Sequence, residues 1–402
     1  MLNFLDRQLL SILAKPIQDG LHVTDSQLGR IGGLYFALFY CLIAIPVGWL
    51  ADKSNRVRVL SIACGLWSLA TMACGVSANY SQLVVSRMAV GVGEAGGVPP
   101  SYAIITDYFP PGRRGTALSI YNLGPPIGQA LGVAFGASIA AAYSWRHAFV
   151  VLGGVGVLAA LVVLAFVREP RRGGLDLAPV ADAPKASFAE TVRMFVSNRS
   201  LMLMSLACGA TQIITYGAGN FSTLLLMREK GMTLQEVALW VALLTGVCMG
   251  GGIFVSGRVI DRFTRNSKRA YALAPALSLL AAAPLFLCFI YAPTWPIALL
   301  FLAGPTALNY FYLSSAVAFV QEEVQPGQRV LSGALLLLVM NLIGMGVGPT
   351  FVGWISDQFR AAHPHNSLQL AFLCLMPVYG LAVLLFLILA GVLRRAASGV
   401  KS

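Results

Sequence analysis

Residues 87–102 read RMAVGVGEAGGVPPSY. Within them, Gly91-x-Gly93-x-x-Gly96 has the spacing of a dinucleotide-binding fingerprint. That fingerprint works where a strand turns tightly into a helix, so that backbone amides aim at a pyrophosphate. Here the glycines interrupt an apolar run, no strand precedes them, and no alternation of strand and helix follows. Gly93, Gly97 and Ser101 recur every four residues, which places them on one helix face and lets a neighbouring helix approach closely. The stretch is therefore expected to be a membrane helix with a small-residue contact face that also carries two charges, Arg87 and Glu94.

The rest of the chain agrees. Hydrophobic residues make up 57% of the 402 positions and charged residues 11%, against about 25% charged in a soluble domain. Apolar segments near 2–20, 31–51, 58–77, 82–105, 115–142, 145–168, 200–226, 235–260, 270–291, 295–321, 330–356 and 368–393 are each long enough to cross a bilayer, which takes roughly 20 residues. Of 28 lysines and arginines, 20 fall in one alternating set of loops and tails and five (Arg30, Arg146, Arg228, Lys230, Arg360) in the other, with Arg7, Lys15 and Arg87 inside apolar segments. The positive-inside rule then makes the termini and the basic loops cytoplasmic, in a multi-pass protein of the plasma (inner) membrane. The net charge of +12 is scattered over short loops, which argues against a nucleic-acid partner. The seven cysteines all lie in apolar segments without metal-ligand spacing and are read as small core hydrophobes.

Two halves are related by repetition. GWLADK (Gly48 to Lys53) recurs as GRVIDR (Gly257 to Arg262), and PPGRRG (Pro110 to Gly115) is echoed by QPGQRV (Gln325 to Val330). The expected organisation is a six-helix bundle over 1–168, a cytoplasmic linker over 169–199 carrying Pro170, Gly173, Gly174, Pro179 and Pro184, and a second six-helix bundle with a short tail over 200–402. Paired halves of this kind are a transporter architecture, with substrate held between them near the bilayer midplane.

Gly48-x-x-x-Asp52-Lys53 with Arg56 and Arg58, Arg87-x-x-x-Gly91, LGPPIGQALG (Leu123 to Gly132) and SWRHAF (Ser144 to Phe149) resemble motifs of the major facilitator superfamily. NFLDRQLLSILAKPIQ, GVGEAGGVPPSYAIITDYFPPGRRGTALSIYNLG and YSWRHAF resemble its Spinster-like subfamily. The resemblance implies an all-α membrane protein of twelve transmembrane helices in two pseudo-symmetric bundles. It also implies lysophospholipid or sphingosine 1-phosphate-like substrates, and functional roles for Asp6, Arg7, Arg87 and Glu94. The LGPPIGQALG match is to a fifth-helix motif common in antiporters and is partial.

The residues point in the same direction. An ionised group near the bilayer centre costs about 2.5–3.5 kcal/mol on insertion scales, so it is paired or lines a polar cavity. Arg87 and Glu94 share a helix face but stand about 10.5 Å apart along it, so each is expected to look across to another helix, where Asp6 and Arg7 offer partners of opposite sign. Two readings stand. In one, the four charges only lock helix packing. In the other, Glu94 and Asp6 exchange protons while Arg7 and Arg87 bind an anionic headgroup. Only five residues precede Asp6, which would leave it near the interface and points to a trimmed N-terminus.

The second half offers TQIITYGAGNF (Thr211 to Phe221), NYFYLSS (Asn309 to Ser315) and Asn341. From these Tyr216, Asn220, Tyr310 and Asn341 are candidate binding residues, forming an aromatic wall opposite the cationic one, although aromatics at this spacing also serve packing. Asp52, Lys53, Arg113 and Arg114, with Asp261 and Arg262 and also Glu322, Glu323 and Arg329, are candidates for a cytoplasmic gate or, equally, for loop anchors. The expected function is proton-coupled secondary transport, by alternating access, of an amphipathic organic anion. A multidrug or small organic-acid carrier is the alternative, and a membrane sensor or scaffold is the reading outside transport. The expected partners are the substrate, protons and the lipid bilayer, with the chain a monomer. No Walker-type loop appears, and neither enzymatic activity nor a cofactor nor a metal is expected.

Overall fold

In hydrocarbon every backbone amide must find its partner within its own segment, so long apolar runs fold as helices. The computed structural model describes residues 1–110, 113–170, 188–264, 267–325 and 328–397, and the regular elements among them are all helical. The first are α1 (Leu2–Ile12), α2 (Ala14–Leu21), α3 (Asp25–Gly32), α4 (Leu34–Lys53), α5 (Arg56–Val76), α6 (Tyr80–Glu94), α7 (Val98–Tyr108), α8 (Arg114–Asn122), α9 (Gly124–Ala142) and α10 (Trp145–Phe166). After them come α11 (Phe188–Ser197) and α12 (Arg199–Arg228), then helical stretches spanning Leu234–Thr264, Ala270–Tyr291, Trp295–Glu323, Leu331–Arg360 and Ser367–Arg395.

Ten helical stretches among the described residues are long and apolar enough to cross a membrane. The other two expected segments, 2–20 and 82–105, are helical but broken, the first at Leu13 between α1 and α2, the second at 95–97 between α6 and α7. The second break has a local cause. Gly96 and Gly97 are poor helix formers, and the prolines that follow suit only the first turn of a new helix, where the missing N–H costs nothing. α7 does start with proline in its first turn, with Gly97 as its N-cap. Both segments that carry Asp6, Arg7, Arg87 and Glu94 are thus interrupted. Helix starts are marked elsewhere by side-chain caps, including the Thr24–Gln27 capping box before α3, Asn55 before α5, Asn79 before α6 and Ser144 before α10.

The chain divides into two compact units. One gathers the helices up to α10 together with Met232–Leu243, and the other holds the remaining helices from α11 onward. In the first, α5 packs along α10 and against α6, while α1 lies along α9. In the second, α12 packs along the Arg329–Arg360 helix and against Met376–Ala397. The stretch Leu234–Thr264, expected as one plain helix, contains two wide π-helical turns, Val237–Val241 and Thr245–Met249. Apolar side chains such as Leu42, Ile62, Leu158 and Phe166 are exposed on the helix surfaces, as a protein solvated by lipid requires. The cysteines are only in part core residues: Cys41, Cys64, Cys74 and Cys208 are buried, but Cys288 is exposed on such a surface.

Candidate functional site

In the first unit, the glycines of the opening stretch decide how close its helices come. A Cβ at Gly91 would sit 2.8 Å from the Phe36 carbonyl oxygen of α4, and one at Gly93 would sit 2.6 Å from the Trp67 amide nitrogen of α5. Neither approach leaves room for a methyl group, so α4 and α5 are both drawn onto α6. On the far side, α9 presents Gly128, Gly132 and Gly136 to α1, where a Cβ at Gly132 would meet the Leu5 carbonyl oxygen at 2.6 Å. Part of the LGPPIGQALG run is thus a contact stripe, and Gln8 of α1 donates to Gln129 of α9 at 2.7 Å beside it. Glycine here serves close helix approach, and the dinucleotide reading lapses because the run is helix–turn–helix.

These contacts bring Asp6, Arg7, Arg87 and Glu94 together. Arg7 Nε lies 2.6 Å from Glu94 Oε2, a charge-assisted hydrogen bond between residues 87 positions apart. Glu94 is fully buried, and Asp6 and Arg87 are 1% and 2% exposed. Asp6 is buried inside the first unit, on a helix that lies along α9. Asp6 is within electrostatic reach of Arg87 and Glu94 and neighbours Thr71 and Trp67 of α5. Arg7 also stands over three rings, with its guanidinium carbon 5.2 Å from the centroid of Phe4, 4.9 Å from Phe36 and 5.0 Å from Tyr40.

The cluster is incompletely satisfied. Asp6 Oδ2, Glu94 Oε1, and Nε and Nη1 of Arg87 are buried without a hydrogen-bond partner among the described residues. Leaving a buried polar atom unpaired costs about 1–3 kcal/mol, more for a charged group, and several such atoms in one place call for water, an ion, a proton or a ligand. A purely structural ion-pair lock would be expected to close these valences. Here one strong pair coexists with open donors and acceptors.

In the second unit, Tyr216 of α12 lies close to Tyr310 and Tyr312, and Gln212, one turn before Tyr216, neighbours Tyr312. Asn220 is turned back on its own helix, donating Nδ2–H to the Tyr216 carbonyl at 2.9 Å. Asn341 is half-buried on the Arg329–Arg360 helix. Tyr310 stands at a further break, between Trp295–Leu308 and Phe311–Glu323, beside Asn309, which is buried and donates to the Tyr379 hydroxyl at 2.8 Å. Sequence reasoning missed Phe36, Tyr40, Trp67, Thr71, Gln212 and Tyr312 as site residues. Phe36, Tyr40 and Trp67 are ordinary apolar or aromatic residues of membrane helices, while Gln212 and Tyr312 lie inside the quoted stretches Thr211 to Phe221 and Asn309 to Ser315 without having been singled out.

The candidate gate residues are divided between the two units. Lys53 lies over the Trp49 ring at 4.2 Å, and Arg113, Asp261, Arg262 and Arg329 are exposed. The side chains of Asp52 and Arg114 lie outside the described residues. Glu322 accepts from the Tyr271 hydroxyl at 2.6 Å, and Glu323 pairs with Lys268 at 3.8 Å. A pair that the motif reading did not single out, Arg56–Asp107 at 2.5 Å, ties the start of α5 to α7.

Comparison with known proteins fits this architecture. Residues 1–326 match the family model of the Major Facilitator Superfamily. An MFS-type efflux pump of Mycolicibacterium smegmatis is 31% identical over 89% of this chain and 82% of its own length. The sphingosine-1-phosphate transporter SPNS2 of Danio rerio is 29% identical over 90% of this chain and 75% of its own. Among solved structures, a bacterial homologue of the human lysosomal transporter Spinster superposes with a TM-score of 0.91 at 27% identity, covering 98% of this chain and 95% of that one. The glycine packing, the buried charge cluster and these likenesses lead to one conclusion: the chain belongs to the major facilitator superfamily and is a Spinster-like membrane transporter.

Proposed function

We propose that the protein moves an amphipathic organic anion, such as a lysophospholipid or a sphingosine 1-phosphate-like lipid, by proton-coupled alternating access. The observation that carries this reading is the buried cluster of two arginines and two carboxylates with unpaired atoms on Asp6, Arg87 and Glu94. With both carboxylates ionised the cluster is neutral. Each proton it accepts leaves one guanidinium charge uncompensated, and a buried uncompensated charge is strongly unfavourable. An anionic headgroup removes that penalty. Proton and anion therefore favour each other's binding, and by linkage the coupling is reciprocal.

In this scheme Glu94 and Asp6 hold the protons, while Arg7 and Arg87 receive the anion. When the proton arrives on Glu94, the Arg7–Glu94 pair loses its Coulomb attraction and the charge of Arg7 becomes available to the substrate. Tyr216, Asn220, Tyr310 and Asn341 are assigned to the apolar and aromatic part of the site, where an acyl chain gains burial energy of about 0.8 kcal/mol per CH2 group. Asp52, Lys53, Arg113, Arg114, Asp261 and Arg262 are assigned to the cytoplasmic gate. Exposed pairs worth about 1 kcal/mol or less suit an element that must open in each cycle. A monomer in the inner membrane with both termini cytoplasmic, built as bundles 1–168 and 200–402 around the linker 169–199, completes the proposal.

The likeness to an efflux pump supports a second reading, a multidrug or small organic-acid carrier. Two arginines in the cluster disfavour purely cationic drugs. The test is flux of labelled 1-acyl lysophosphatidate into protein-loaded liposomes under an imposed pH gradient, for the native chain and Glu94→Gln. Gradient-stimulated flux in the native chain, lost in the variant, is the expected result. Equal gradient dependence in both removes Glu94 from coupling, and no flux above protein-free liposomes removes this substrate class.

A further inference from the structure

Arg7 and Arg87 carry the same charge and lie on different helices, Arg87 buried and Arg7 partly so, yet one aromatic ring serves both. The Phe36 centroid lies 4.9 Å from the guanidinium carbon of Arg7 and 5.4 Å from that of Arg87. Phe36 is 1% exposed and is supported from two sides. Tyr40, one turn along α4, stacks on it at 5.8 Å with an interplanar angle of 15°. Its backbone rests against Gly91, where a Cβ would come within 2.8 Å of the Phe36 carbonyl oxygen. The glycine that opened the sequence argument is therefore also what seats this ring beside both arginines.

The ring's chemistry differs from that of the other partners. Asp6 and Glu94 change charge when they bind a proton; a phenyl ring does not. Its quadrupole attracts a guanidinium at every pH, and the attraction is strongest where water is excluded. A guanidinium held only by a carboxylate would lose its anchor when that carboxylate is protonated, at the point in the cycle when it must be in place for the anion. A guanidinium that also lies on a ring keeps its position. Arg87 has the greater need, since its Nε and Nη1 have no hydrogen-bond partner among the described residues.

We propose that Phe36 is a positioning residue of the transport site, its ring being the neutral partner shared by Arg7 and Arg87 that keeps both guanidiniums in place when the carboxylates are protonated. Only the kinetic part of this inference rests on the anion-transport reading above; the hold of the ring on the arginines does not.

The experiment replaces Phe36 with phenylalanines bearing one, two and three ring fluorines, which weaken the quadrupole stepwise at nearly constant size, and with Leu. Thermal unfolding of the purified protein is followed for each, in the native background and with Arg7→Met or Arg87→Met. The expected result is a melting temperature that falls with each added fluorine, in steps that shrink in either arginine variant. Equal steps in all backgrounds would overturn the proposal. In liposomes, KM for 1-acyl lysophosphatidate should rise in the order of fluorination, reaching about tenfold in Phe36→Leu, with kcat changed far less. A KM that is flat across the fluorinated series while Phe36→Leu alone fails would also overturn it, since that pattern marks a packing residue. If the native chain carries no lysophosphatidate, the substrate assignment falls, and the unfolding comparison still decides whether the ring holds the arginines.

Discussion

Gly93→Ala should damage this protein although it adds a single methyl group. The new Cβ would lie 2.6 Å from the Trp67 amide nitrogen, 2.7 Å from its Cβ and 2.9 Å from its Cα. Ordinary contact begins near 3.5 Å, and the atoms in the way are mainly backbone, so no rotamer change relieves them. α5 must retreat from α6 by close to an ångström, taking Trp67 and Thr71 away from Asp6. Overpacking of a tight core costs about 1–3 kcal/mol, and contact with backbone puts this site at the upper end. Replacing helical glycine returns about 0.5–1 kcal/mol, leaving a net loss of about 2 kcal/mol. At roughly 2–4 °C per kcal/mol for a unit of 150–250 residues, Tm should fall by about 4–8 °C. Gly154→Ala is the control, because a Cβ there meets nothing within 4 Å, and its Tm should hold or rise slightly. The assay is thermal unfolding in detergent followed by intrinsic fluorescence, with and without added NAD. If Gly93→Ala melts with the native chain and with Gly154→Ala, the helix-approach reading of the glycine run is wrong. Stabilisation by the dinucleotide that the mutation abolishes would revive the reading set aside at the start.

Further predictions concern the charges and caps. Arg7→Met strands the Glu94 carboxylate in a fully buried position and should cost about 3–5 kcal/mol; adding Glu94→Gln should restore most of that loss, measured by a double-mutant cycle in thermal unfolding. Asn79 accepts from the Gln82 amide at 3.0 Å at the start of α6, so Asn79→Ala should lower stability by about 1 kcal/mol while leaving the pH dependence of flux unchanged. Under the proposed assignment, Tyr216→Ala and Tyr310→Ala should raise KM for a long-chain lysolipid about three- to tenfold and leave a short-chain analogue less affected. Equal effects on both chain lengths would show that these tyrosines do not contact the acyl tail.

Much of the architecture could be read from the chain because membrane proteins obey one-dimensional rules. Apolar length, charge asymmetry between alternate loops, and glycine at four-residue spacing are each local quantities, and each has a direct physical cause in the bilayer. They sufficed for an all-helical membrane protein and for naming Asp6, Arg7, Arg87 and Glu94 as charges in need of partners. Periodicity assigns a residue to a face of its own helix, but not to a neighbour on another. That Arg7 takes Glu94 while Arg87 is left facing Asp6 depends on the depth and rotation of α1 against α6, which the glycines of α6 and α9 set through contacts with residues distant in the chain. The same limit hid Phe36 and Trp67, ordinary apolar residues in sequence that acquire their meaning only from the guanidiniums and carboxylate packed beside them. The breaks at Leu13 and at 95–97 were likewise invisible to hydropathy, which runs straight through them. Composition and spacing determined what kind of molecule this is and which charges it must hide; close packing alone decided which of them meet, because pairing is a property of distances in space.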